Sequence, residues 1–104
     1  HPHQPRVQAV LDVDASQFSY FNTNVVLDSG ASMPSQGLRS WMVRHKYPGE
    51  ESEWQSVEHY MEADDIRFVI SEVHVGTYKI ELPITDSQDP GLSDTVEMMI
   101  EVGY

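Results

Sequence analysis

Apolar and polar residues alternate with period two over most of this chain, the signature of strands with one buried face. In "VQAVLDVD" (7–14), Val7, Ala9, Leu11 and Val13 fall on one side. "NVVLD" contributes Val25 and Leu27, and "LRSWMVRH" contributes Trp41 and Val43. "WQSVEHYM" is a weaker fourth segment, and "IRFVIS" alternates Ile66, Phe68 and Ile70. Residues 76–86 carry Tyr78, Ile80, Leu82 and Ile84 on one face, and "TVEMMIEV" carries Val96, Met98, Ile100 and Val102. The expected core is Leu11, Val13, Val25, Leu27, Trp41, Val43, Phe68, Ile70, Tyr78, Ile80, Leu82, Ile84, Val96, Met98 and Ile100. Burying each such side chain contributes about 1.5–3 kcal/mol.

Between these segments lie "DSGASMPSQG", "KYPGEE", "EADD" and "DSQDPGLSD", built from the Gly, Pro, Asp and Ser that turns use. About seven short strands separated by turns predict an all-β, immunoglobulin-like antiparallel β-sandwich. One stretch permits a helix: in "GEESEWQSVEHYMEADD", Trp54, Val57 and Met61 recur at spacings of three and four. "HPHQPR" (1–6) reads as a flexible N-terminal tail, which leaves 7–104 as a single domain.

With 104 residues the chain has room for one core. It has no cysteine, so disulfides, zinc ribbons, iron–sulfur ligation and thiol nucleophiles are excluded. No apolar run approaches the roughly 18 residues of a membrane span, which predicts a soluble domain or a piece of a longer chain with no membrane insertion. Seventeen Asp and Glu against six Lys and Arg give a net charge of −11, which repels phosphate backbones and argues against nucleic acid as a partner. A cation such as calcium suits this charge better, although acidity also serves solubility alone.

"HVGTYKI" (74–80) places a glycine two residues before a tyrosine at the start of the longest alternating run. In immunoglobulin-like sandwiches a tyrosine near the start of the sixth strand folds over the corner and bonds its hydroxyl to upstream backbone. Gly76 and Tyr78 have that spacing, and Ile80 occupies the position at which disulfide-bearing members carry cysteine. Trp41 is the matching candidate for the aromatic that packs across the core.

"VVLDSGAS", Trp41 and "VGTYKIELPITDSQDPGLSD", followed by an alternating last strand, resemble the polycystic-kidney-disease-type (PKD) domain and its cadherin-like relatives over about residues 7–102. Asp28 and Ser32 match the first family motif, Trp41 the second, and Gly76, Tyr78 and Asp86 the third. Two departures stand out. "MVRHKYPGEESEW" replaces the turn that follows the family tryptophan, and Pro83 interrupts a strand, which requires its missing amide to face solvent, a bulge or an edge. The resemblance implies a non-enzymatic spacer, adhesion unit or protein-contact module of a larger extracellular, cell-surface or periplasmic protein. Its partners would be other proteins or neighbouring domains of the same chain.

Other chemistries leave weaker marks. There is no G-x-S-x-G, no H-E-x-x-H and no phosphate-cradling glycine loop. "LDSGAS" has the D-S-G of aspartic proteases at Asp28, but "VISEVHVG" matches their later support segment poorly. Asp12, Asp14, Asp86, Asp89 and Asp94 lie in end loops where carboxylates gather around calcium, or where each aspartate bonds its own turn. His1, with His3, resembles the copper-binding start of small periplasmic β-sandwiches, yet the later D-x-H pair of those carriers is absent and Pro2 lacks the amide proton. Tyr47, Trp54 and Tyr60 cluster in sequence as contacts for a partner protein or a sugar ring.

Overall fold

The computed structural model describes residues 7–14, 18, 24–49 and 51–103. They form two antiparallel sheets facing each other, the predicted β-sandwich. One sheet contains β1 (Asp12–Val13), β2 (Val25–Asp28), β7 (Arg67–Ile70) and β6 (His59–Glu62), in that order. The other is built on β8 (Gly76–Thr85), flanked by β9 (Ser93–Val102) on one side. On its other side lie β3 (Leu38–Arg39) and β4 (Met42–Lys46), with β5 (Gln55–Ser56) beyond β4. No described residue is in an α-helix.

Among the described residues nine segments replace the expected seven, and two local causes account for the difference. The predicted third strand is split into β3 and β4, although its register against β8 is continuous, with Arg39 opposite Ile84 and Met42 opposite Glu81. The break falls opposite Pro83. Ser40 donates its amide to the Pro83 carbonyl at 3.0 Å. In an antiparallel ladder a residue's N–H and C=O point the same way, so the donor that proline lacks would have faced Ser40. Pro83 therefore sits in a central strand, not at an edge, and the ladder is interrupted where its amide is missing.

The second cause is a change of sheet. The expected fourth strand divides into β5, paired with β4, and β6, paired with β7. Val57 and Glu58 carry the chain from one sheet to the other, and the three-and-four spacing of Trp54, Val57 and Met61 is not helical.

The first segment is also shorter than predicted. Only Asp12 and Val13 pair with β2, with Gln8 bridging Met33. Upstream, the Ala9 amide donates to Asp94 Oδ2 and the Val10 amide to Ser32 Oγ, so side chains satisfy this backbone instead of a ladder. Asp12 lies directly opposite Asp28, a like-charge pair that does not favour extension.

The core forms where the inner faces meet. Val25, Leu27, Phe68, Ile70, Tyr78, Ile80, Leu82 and Ile84 are buried as expected, and Val43 joins them. Leu11, Val13, Trp41, Met98 and Ile100 pack at its margin, only partly buried, and Val96 is half-buried. Val102, which ends the alternating face of β9, is also buried, and Phe18, Val69, Val73 and the polar residues Ser29, Ser32 and His45 are buried without having been expected.

Candidate functional site

Gly76 and Tyr78 organise one end of the sandwich as the corner spacing predicts. Gly76 has φ +130°, and a Cβ there would overlap the Lys46 carbonyl oxygen. Only glycine lets β8 start this close to β4. Tyr78 is fully buried, and its hydroxyl accepts the His74 amide at 2.8 Å, four residues upstream. Its ring packs against Phe18 at 5.5 Å and against His45 at 4.6 Å.

His45 extends this cluster towards the surface. The alternation of β4 turns Val43 and His45 inward, and His45 Nε2–H donates to the Val75 carbonyl at 2.9 Å. Tyr47 meets the His45 ring edge-on at 4.5 Å, and the His74 ring is 6.0 Å from both. Gln55, Ser56, Val57, Glu58 and Glu72 complete a cavity of about 150 Å³ over this cluster. Burial lowers the His45 pKa from its ordinary value, the Val75 carbonyl opposes that shift, and neighbouring His74 adds to it. The native state thus binds the imidazole proton more weakly than the unfolded chain does. The stability contributed is complete above about pH 6.5 and declines as pH falls towards the lower native value. In urea melts between pH 7.5 and 5, His45→Gln should flatten the part of the decline belonging to this residue; an unchanged slope would assign that part to other groups.

A second cavity, of about 320 Å³, opens on the other side of the crossing at Val57. Trp41, Val43, Met61, Phe68 and His59 line it. His59 stacks on Phe68 with centroids 4.0 Å apart and 16° between planes, and His59 Nδ1–H donates to the Val57 carbonyl. Trp41 packs on Phe68 at 5.5 Å, and its indole N–H reaches the Asp65 carbonyl at 2.8 Å. That polar handle holds the tryptophan at the sandwich margin instead of its centre. Asp65 belongs to the β6–β7 turn, where Ala63, Asp64 and Asp65 all have positive φ, a left-handed turn closed by Ile66 N–H to the Ala63 carbonyl.

Beside that turn, Arg39 clamps the β2–β3 connection. Its Nε donates to Ser29 Oγ at 2.6 Å, and its terminal nitrogens reach the Ser29, Ser35 and Gly37 carbonyls. Ser29 in turn donates its hydroxyl and amide to the Ile66 carbonyl, tying the two turns together.

The three predicted contact aromatics are not one patch. Tyr47 and Trp54 flank the β4–β5 connection, 41% and 39% exposed, with Lys46 Nζ 5.9 Å from the Trp54 ring centre. Tyr60 lies on β6 in the other sheet, where its hydroxyl accepts from Asn24.

Three of the aspartates behave as turn-formers. Asp28 Oδ1 accepts the Gly30 amide, Asp86 Oδ1 the Gln88 and Asp89 amides, and Asp89 Oδ1 the Gly91 amide. Asp94 holds Ala9. Asp12 and Asp14 lie at β1, at the other end of the chain from the Asp86–Asp94 turn, and Asp12 faces Asp28. Among the described residues no group of three or more His, Asp or Glu side chains is arranged to hold a metal ion. His1 and His3, the copper candidates, lie outside the described residues. Asp28 sits between Asp12 and Arg67 in the sheet register, on the outer face and away from both cavities. No protein-family model matches the chain, and the searches of curated proteins and of solved structures returned no match.

Proposed function

We propose that this domain is a non-catalytic structural or protein-interaction module, of the PKD or cadherin-like kind, from a larger extracellular or cell-envelope protein. It engages a protein partner through the aromatic edge at β4–β5. The observation that carries this reading is the exposure of Tyr47 and Trp54 beside Lys46, on an edge held in place by the buried His45–Tyr78 cluster. Tryptophan and tyrosine supply large amphipathic contact area at little entropic cost, which is why they dominate protein-contact energetics. Asp28, Asp86 and Asp89 serve their own turns and Asp94 ties down the Ala9 amide, so their use as local scaffolding accounts for these four without calcium.

Photo-crosslinking from position 54, in the cell that makes the protein, tests this reading against a control crosslinker at Ser87 in the β8–β9 turn. A discrete protein adduct from position 54 alone is expected. Reconstitution with that protein should show Trp54→Ala weakening binding by about tenfold or more, with stability changed by only about 0.5 kcal/mol. No adduct specific to position 54, or unfolding of Trp54→Ala, would overturn the assignment.

A further inference from the structure

We propose that the outer edge of β9 is a docking site for a basic, extended protein segment, which adds to the sheet as a further antiparallel strand. This surface is distinct from the aromatic edge, at the opposite side of the same sheet. Its ten residues pair only with β8, and among the described residues no strand lies on its other side.

The ladder shows which groups are open. Asp86 N–H donates to the Leu92 carbonyl, and Ser40 N–H donates to the Pro83 carbonyl. Even-numbered β8 residues therefore exchange hydrogen bonds with β9, and odd-numbered ones face β3 and β4. With Tyr78 opposite Ile100 and Ile80 opposite Met98, the backbone groups of Thr95, Glu97, Met99 and Glu101 point away from the sheet. An extended segment recognises such a row by main-chain hydrogen bonds and gains specificity from alternate side chains.

Charge selects the occupant. β9 contains Asp94, Glu97 and Glu101 and no basic residue. Glu97 faces another carboxylate, Glu81, across the ladder, and Lys79 is already paired with Glu81 at 3.2 Å. Met99, 62% exposed, lies between Glu97 and Glu101. A complementary strand carries Lys or Arg opposite Glu97 and Glu101, an apolar residue opposite Met99, and apolar residues over the half-buried Met98 and Ile100. The pattern is basic, three apolar, basic. A second copy of this chain is disfavoured, because antiparallel self-pairing centred on Met99 sets Glu97 of each copy against Glu101 of the other. The acidic edge thus resists self-association while staying open to a basic strand.

The test is an NMR titration of the intact domain with the end-blocked peptide Thr-Lys-Val-Leu-Val-Lys-Thr. A peptide of the same composition in the order Lys-Lys-Thr-Val-Val-Leu-Thr is the control. Expected are shifts concentrated on β9, slowed exchange of the 95, 97, 99 and 101 amides, and about tenfold weaker binding of the control. Met99→Pro removes an outward amide without a β8 bond and should abolish the protection. Glu97→Lys with Glu101→Lys keeps the test open if the proline variant fails to fold: it should reject the basic peptide and accept Thr-Glu-Val-Leu-Val-Glu-Thr. Equal binding of both basic peptides, shifts spread over all acidic surfaces, unaltered binding by the charge-reversed variant, or protection of the same amides by self-association would each overturn the proposal.

Discussion

Replacing Gly76 by alanine is expected to destabilise the domain by about 3–5 kcal/mol, as the sum of a disallowed backbone conformation and an overlap that the sheet cannot relieve. At φ +130° the first cost arises for any L side chain. The second is specific to this fold: the added Cβ meets the Lys46 carbonyl oxygen, and lies 2.8 Å from His45 Nε2. Neither atom is free to retreat. Lys46 pairs with Thr77 and His45 with Tyr78, so relief requires parting β4 from β8, and His45 Nε2 already donates to Val75. Gly103, whose Cβ would meet nothing within 4 Å, is the control, and Gly103→Ala should be nearly neutral. Urea midpoints at constant m-value measure both. A Gly76→Ala midpoint equal to that of the parent would show that the corner relaxes and that glycine is not required there.

The parts of this fold legible in the sequence are those whose burial follows a sustained period of two. β8 alternates inward and outward over its whole length, and its inward residues Tyr78, Ile80, Leu82 and Ile84 are all fully buried. β2 and the second half of β9 follow the same rule. His45 was equally available to that reading, since it shares the inward phase of Val43, but a polar residue type conceals the phase. Val69 fails for the opposite reason: it faces away from Phe68 and Ile70 yet is buried, next to Val26 and Tyr60 in the register. The crossing between β5 and β6 had no readable period, because two-residue and four-residue strands in different sheets do not sum to one pattern. The candidate site inherits this division. Gly76 and Tyr78 carry a spacing that predicts their geometry, while the cavities flanking Val57 depend on where the chain changes sheet.

Tyr78→Ala is expected to cost about 4 kcal/mol, and Tyr78→Phe about 1–2 kcal/mol, because the two substitutions remove different things. Alanine deletes a fully buried ring that supports Phe18 on one side and His45 on the other, leaving a cavity between the sheets. Phenylalanine keeps the ring and removes only the acceptor of the His74 amide. That amide would then lack its partner at the base of the cluster containing His45, His74 and Tyr47, so the smaller loss should be accompanied by faster exchange of the His74 amide proton. If Tyr78→Phe matches the parent in both stability and exchange, the hydroxyl contributes nothing and the corner is ring packing alone. If it falls as far as Tyr78→Ala, the hydrogen bond holds the ring in place, and the aromatic edge carrying Tyr47 depends on a single hydroxyl.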